Sequence, residues 1–182
     1  MAKEIINIKD KSFKIFIEEA KIKVKVKELA ERINKDYEGK SPIILVVLRG
    51  ALIFGADLFK ELNYQFKLSI ISAKSYHGEL ESSGEVKVHF FDSTFENKDI
   101  IIVEDIVDTG QTIFELVHKL KLFNPNSIEV ASFLSKPNSR KKDVNIKYLG
   151  YEIPNYFVIG YGLDYDEQGR GLKDIYSLDT NK

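Results

Sequence analysis

Residues 100–112 read Ile-Ile-Ile-Val-Glu-Asp-Ile-Val-Asp-Thr-Gly-Gln-Thr, the richest short run of chemistry-bearing side chains in the 182-residue sequence. Two adjacent carboxylates, Glu104 and Asp105, end a β-branched run. Neighbouring side chains alternate on a strand, so the two are expected to diverge. Asp108 follows, and Thr109-Gly110-Gln111-Thr112 then opens a helical pattern. The glycine permits close backbone approach, and two hydroxyls lie beside the exposed N–H groups of a helix N-terminus, which suits a phosphate cradle. Carboxylates just upstream repel a bare phosphate but suit a sugar's hydroxyls, or a Mg²⁺ that bridges to a second phosphate. The plainer account is a capped loop with solvated or salt-bridged acids, because Asp, Thr and Gly are common at caps and turns. The density of acid at the end of a β-branched strand weighs against it.

Competing motifs fail. Gly39-Lys40-Ser41 has the ending of a P-loop, but position 34 is Asn and the motif precedes a strand instead of following one. Gly160-Tyr161-Gly162 begins a dinucleotide fingerprint whose third glycine is replaced by Tyr165. His77, His89 and His118 show no metal-ligand spacing, so surface or structural roles account for them.

The elements that must position the acid-rich turn follow from hydrophobic period. Phe13, Ile15 and Ile17 alternate like a short strand, whereas Ile22, Val26, Leu29, Ala30, Ile33 and Tyr37 line one helical face, ended by Gly39 and Pro42. Ile43–Val47 is a continuous apolar run, as in a strand buried on both faces. A helix is predicted near 51–62, and an alternating stretch over 66–71. Residues 74–84 are polar and aperiodic, a loop or hairpin tip, before Val86, Val88 and Phe90 resume the alternation. The strand Ile100–Val103 is expected to end at the acids, with a helix after Gly110 stopped by Asn124-Pro125. Strands are predicted over 128–134 and 156–159. Apolar runs alternating with amphipathic helices predict an α/β fold, a mainly parallel twisted sheet flanked by helices with right-handed crossovers. In such sheets ligands bind beyond the carboxyl ends of the strands, where residues 104–112 fall. The chain ends are expected to pair into a small accessory layer.

Composition bounds the rest. The length suits a single domain over residues 1–182, large enough to need no disulfide or metal staple. There is no cysteine, which excludes disulfides, thiolate metal sites and cysteine nucleophiles. Lys and Arg number 27 against 28 Asp and Glu, a net charge of −1, unlike a strongly basic nucleic-acid binder. No apolar run approaches a membrane helix, and Met1-Ala2-Lys3-Glu4 leads into no signal-peptide core, so a cytoplasmic location is expected.

Residues 101–112 closely resemble the phosphoribosyl-pyrophosphate (PRPP) motif of type I phosphoribosyltransferases: a hydrophobic strand, two acids, two apolar residues, Asp, a hydroxyl, Gly, and Thr. Further segments resemble the hypoxanthine–guanine branch, in chain order over roughly residues 43–176. Leu48-Arg49-Gly50 looks like its pyrophosphate loop and Ser75-Tyr76 like the start of its flexible catalytic loop. Lys136-Pro137 follows a strand end, and Phe157–Tyr165 is similar to its purine-binding segment.

The resemblance implies a type I phosphoribosyltransferase fold with an accessory hood, and reversible transfer of 5-phosphoribosyl from PRPP to a 6-oxopurine base, with Mg²⁺ as cofactor. It implies that Asp108, Thr109, Gly110, Gln111 and Thr112 bind the 5′-phosphate, and that Glu104 and Asp105 face the ribose hydroxyls directly or through Mg²⁺-bound water. Asp108 would accept or share the purine N7 proton, and Arg49-Gly50 and Arg170 would meet pyrophosphate. The family often holds the peptide before that glycine in cis. Ser75 and Tyr76 would close over the centre. Lys136 would donate to the purine O6, Phe157 would stack on the base, the Val158 backbone would read its edge, and Asp164 would help ligate a second Mg²⁺. Two departures stand out: Gln111 occurs where some relatives have lysine, and glycines flank Arg170. A homodimer or homotetramer is implied, with no membrane or nucleic-acid partner. A nucleotide-sensing regulator of the same fold and a xanthine-preferring transferase remain the alternatives.

Overall fold

The computed structural model describes residues 5–74, 87–90 and 94–180. In chain order these form β1 (Ile5–Ile8), β2 (Lys11–Ile17), α1 (Glu19–Asp36), β3 (Ile43–Leu48), α2 (Leu52–Glu61), β4 (Lys67–Lys74) and β5 (Lys87–Phe90). They continue with β6 (Asp99–Val107), α3 (Gln111–Lys121), β7 (Ser127–Ser135), a 3₁₀ turn (Pro137–Ser139), β8 (Tyr148–Glu152), β9 (Val158–Ile159) and β10 (Ile175–Leu178).

The main sheet has the order β5-β4-β3-β6-β7-β8. Every pairing from β4 to β8 is parallel, and β5 lies antiparallel on the edge. The predicted α/β class and mainly parallel sheet flanked by helices are therefore present. Alternation splits the apolar runs between two faces: Ile44, Val46, Ile101 and Val103 pack with α1 and α2, while Ile43, Leu45, Ile100 and Ile102 pack with α3. The α1 face is buried at Ile22, Val26, Leu29, Ala30 and Ile33, as its spacing predicts. Basic residues His118, Lys119 and Lys121 sit in the last turn of α3, where they suit the negative end of the helix dipole.

The expected layer from the chain ends is a second sheet, ordered β1-β2-β10-β9 and antiparallel at every pairing. Phe13, Ile159 and Tyr176 form its buried centre.

Three expectations need correction. β6 does not stop at the acids; it runs to Val107, because β7 stays paired with it through Glu104–Ser132, Ile106–Leu134 and Val107–Ser135. In the 156–159 stretch only Val158–Ile159 is strand, and it belongs to the small sheet because its ladder partner is β10. The outermost parallel strand, β8, was not anticipated: Tyr-Leu-Gly-Tyr-Glu has neither a continuous apolar run nor clean alternation, and a neighbouring ladder decides its conformation. Among the described residues no helix is long and apolar enough to cross a membrane.

Phe133 on β7 joins the core to the segment after β9. It is 1% exposed, and its ring centre lies 5.3 Å from Phe54, 5.8 Å from Tyr151 and 5.0 Å from Tyr161. Phe133→Ala is expected to cost about 3–5 kcal/mol, read as a lower urea midpoint at unchanged slope.

Candidate active site

β3, β6 and β7 are parallel neighbours, so their carboxyl ends open on one edge of the sheet. That edge receives Arg49 and Gly50 after β3, Asp108–Thr112 after β6, and Lys136 after β7. A fourth segment, residues 160–170, folds back onto them. Its backbone closes on itself through Gly162 N–H to Arg170 O at 2.9 Å, and Tyr161 N–H to Leu172 O at 2.8 Å.

Two contacts set how tightly these segments meet. A Cβ at Gly50 would lie 1.6 Å from Asp105 Oδ2, so any larger residue would have to push the Asp105 carboxylate aside for the loop to rest on the strand end. At Gly162, where φ is +101°, a Cβ would lie 2.0 Å from the Gly50 carbonyl oxygen. The 160–170 segment thus rests on the Arg49-Gly50 loop, which rests on an acid of β6. The peptide between Leu48 and Arg49 is cis, one bond earlier than the one directly before Gly50.

Glu104 is only 7% exposed, and Asp105 is partly buried. The expectation that the two diverge is corrected: Glu104 Oε1 accepts the Asp105 N–H at 3.2 Å, and the carboxyl groups interact with each other. The Asp105 Oδ1 accepts the Ile106 N–H at 2.8 Å. Burial lifts the Glu104 carboxyl well above the usual carboxylate range, and the adjacent Asp105 adds to the rise. Asp105 is also raised by burial, against hydrogen bonds from Glu104 and backbone N–H groups and the charge of Arg170. Two carboxyl groups, one buried and one partly buried, with no cation hydrogen-bonded to them among the described residues suit a hard divalent ion that keeps waters and substrate oxygens as its other ligands. Among the described residues no three acids or histidines converge into one metal cage.

The turn at 108–112 has the helix-start geometry its composition predicts. Gly110 is the N-cap of α3 at φ +81°, and the Thr109 hydroxyl accepts the Gln111 N–H at 3.4 Å. The first N–H groups of a helix have no acceptor within it. From behind, the Thr109 carbonyl accepts the N–H groups of Lys141 and Lys142 at 2.9 and 3.1 Å. Gln111 donates its amide to Glu115 at 2.9 Å.

Lys136, 8% exposed, donates from Nζ to Asp108 Oδ2 at 2.7 Å, and its backbone N–H reaches Val107 O at 3.0 Å. Phe157 is 44% exposed and leans on Phe13 and Tyr165, ring centres 6.3 and 5.8 Å away. Val158 is buried in β9. Tyr165 donates to Asp10 at 2.8 Å, tying the β1–β2 hairpin to this segment, and Lys9 pairs with Asp166. Phe13 and Tyr165 thus support the exposed ring, roles that periodicity could not reveal because they lie across the small sheet.

Arg170 donates to Gly162 O at 2.9 Å and to Asp164 Oδ1 at 2.7 Å, while Asp164 Oδ2 accepts the Glu167 N–H at 2.9 Å. Glu167, not singled out from the sequence, pairs with Arg49 at 2.6 Å and with Arg170 at 3.3 Å. Its spacing of three residues from Arg170 was the available signal. Ser75, Tyr76 and most of the 74–84 loop lie outside the described residues. The structure therefore collects Arg49, Gly50, Glu104, Asp105, the 108–112 turn and Lys136 on one sheet edge, with Asp164 and Arg170 brought over it by the loop.

Comparison with known proteins agrees with this architecture. A sequence model described as a phosphoribosyl transferase domain matches residues 16–166. The hypoxanthine-guanine phosphoribosyltransferase of Streptococcus mutans serotype c is 40% identical over 172 residues, covering 90% of this chain and 96% of that one. The crystal structure of a hypoxanthine phosphoribosyltransferase from Staphylococcus aureus has a TM-score of 0.86 at 39% identity, over 91% of each chain. A hypoxanthine-guanine phosphoribosyltransferase structure from Bacillus anthracis has a TM-score of 0.86 at 35% identity, over 97% of this chain and 100% of that one.

The raised Glu104 carboxyl has a consequence for stability. A group whose folded pKa lies above its unfolded value, ordinarily near 4.5, adds stability below that value and loses it as pH rises through the folded pKa. In metal-free buffer, Glu104→Gln is therefore expected to unfold at a higher temperature than the parent at pH 8, by several degrees at about 2–4 °C per kcal/mol. The gap should close as pH falls toward about 4.5. Thermal unfolding followed by circular dichroism measures both.

Proposed function

The chain belongs to the phosphoribosyl transferase family, and from that premise we propose that it is a purine-salvage enzyme moving 5-phosphoribosyl from PRPP to hypoxanthine and guanine, with release of pyrophosphate. The observation that carries this reading is the Lys136–Asp108 pair at 2.7 Å. A 6-oxopurine protonated at N7 presents an acceptor, O6, beside a donor, N7–H. An ammonium beside a carboxylate presents the complementary order. A 6-amino group would meet the ammonium donor to donor, so adenine is rejected.

The reaction breaks the bond from ribose C1 to the diphosphate oxygen, and the electron pair leaves with the diphosphate. The purine N9 lone pair forms the new bond to C1, while the N7 proton passes to or is shared with Asp108. With no nucleophile supplied by the protein, catalysis lies in alignment and charge stabilisation. Thr109, Gly110, Gln111 and Thr112 hold the 5′-phosphate through hydroxyls and helix-start N–H groups. Glu104 and Asp105 orient the ribose 2′- and 3′-hydroxyls. Gly50 presents its N–H to the diphosphate, and Arg49 and Arg170 meet its charge as the bond breaks. Phe157 stacks on the base, and the Val158 backbone reads its edge.

Mg²⁺ is the cofactor of this reading: Glu104, Asp105 and Asp164 are the residues that would hold it, and it would supply charge neutralisation to the diphosphate. We place the enzyme in the cytoplasm, as a homodimer or homotetramer without membrane or nucleic-acid partners. The 40% identity to a named hypoxanthine-guanine transferase over nearly its whole length favours this activity over a regulatory role or a xanthine preference.

The decisive assay is PRPP- and Mg²⁺-dependent nucleotide formation from hypoxanthine, guanine, xanthine, adenine and uracil. Turnover is expected with the first two, and its absence with every 6-oxopurine would falsify the assignment. Asp108→Asn should lower kcat by about 100-fold, the lower range for general-base loss, with a much smaller effect on PRPP binding. Lys136→Ala should raise KM for hypoxanthine about ten-fold or more and erode discrimination against adenine; steady-state kinetics on both bases separates the effects.

A further inference from the structure

Arg49 and Arg170 stand 121 positions apart in sequence, yet one oxygen of Glu167 is bonded to both, Oε2 lying 2.6 Å from Arg49 Nη1 and 3.3 Å from Arg170 Nη2. We propose that Glu167 is an internal stand-in for the diphosphate: its carboxylate gathers the two arginines in the free enzyme and is displaced from them when diphosphate or PRPP binds. The inference rests on the reading above in which Arg49 and Arg170 meet pyrophosphate.

Geometry distinguishes this contact from an incidental surface pair. Glu167 sits in a turn where Asp166 and Glu167 both have left-handed backbone, φ +49° and +63°, uncommon for non-glycine residues. Its N–H is fastened to Asp164 Oδ2 at 2.9 Å, so the backbone is anchored while the carboxylate reaches across to the β3 loop. Arg170 is held independently of Glu167 by Gly162 O and Asp164 Oδ1. Its buried Nε has no hydrogen-bond acceptor among the described residues. Arg49, by contrast, is 62% exposed and, among the described residues, Glu167 is its ion-pair partner.

The two arginines differ accordingly. Arg170 is built into its loop, and Arg49 is drawn toward it by a carboxylate that is itself 63% exposed and free to swing away. The hydrogen bond from Arg170, with the charges of both arginines, holds the Glu167 carboxyl below its ordinary range. A diphosphate carries more charge and more acceptor oxygens than one carboxylate, and bidentate contacts with guanidinium groups favour it. Glu167 is thus a positioning residue that also competes with substrate, which favours release of the product diphosphate.

The test is calorimetric binding of inorganic pyrophosphate, with Mg²⁺, to the full chain and to Glu167→Gln, Glu167→Asn, Arg49→Ala and Arg170→Ala. Both Glu167 variants are expected to bind pyrophosphate about two- to five-fold more tightly at low salt, the range an exposed ion pair supports. The ratio should shrink toward one at roughly 1 M salt, where the competing charges are screened. Asparagine tolerates left-handed backbone, so Glu167→Asn keeps the turn if the glutamine variant disturbs it. Unchanged or weaker binding in the Glu167 variants, while either arginine variant loses affinity, would overturn the stand-in role alone. Equal binding in the parent and both arginine variants would instead overturn the diphosphate reading beneath it.

Discussion

The site depends on how closely the backbone after β3 can approach the end of β6. Adjacent strands lie about 4.8 Å apart, so a loop leaving one must settle directly against side chains leaving the other. At Gly50 the Asp105 carboxylate fills the space a Cβ would take, its Oδ2 1.6 Å from that position. Gly162 repeats the arrangement one level up, against the Gly50 carbonyl. Loops following β3 and β9 thereby reach one strand end within hydrogen-bonding distances, and the remaining site residues take their places around that stack.

Charge is distributed over this frame by depth. The buried floor holds Glu104 and Asp105, raised because burial disfavours the charged forms. The cations stand at the walls: Lys136 against Asp108, Arg170 against Asp164, and Arg49 against Glu167. A net charge of −1 over the chain is the sum of this separation, acids beneath and bases around. The arrangement suits a substrate that is anionic at both phosphate ends and becomes cationic at its ribose centre as the bond breaks.

What could be read ahead of the structure was local. The 100–112 run disclosed a strand, a turn and a helix start because apolar period, acid position and Gly110 all act within a few residues. Asp108 was likewise identifiable from its place after a strand, whereas Lys136 and Gly50 were singled out through the family resemblance. Other features were not legible. β8 forms because β7 offers a ladder, and β9 pairs with β10 seventeen residues beyond it, neither being determined by its own period. Nor do the acids part as alternation predicts, because the strand end lets Glu104 turn back onto the Asp105 N–H. Glu167 and the Phe13–Phe157–Tyr165 group acquire their roles only where distant segments meet.

By itself, then, the sequence determined the fold class, the helix-start turn after β6 and the acids beside it, since these follow from hydrophobic period, capping chemistry and residue type within short windows; Arg49, Lys136 and Arg170 were singled out through the family resemblance. The tertiary structure alone decided that Lys136 touches Asp108, that Phe13 of the hood packs against Phe157, and that Glu167 bridges two arginines from different loops. The reason is physical: periodicity records which face of an element is buried, but not which other element buries it. Hydrogen bonds and ion pairs between residues a hundred positions apart exist only once packing has chosen that partner.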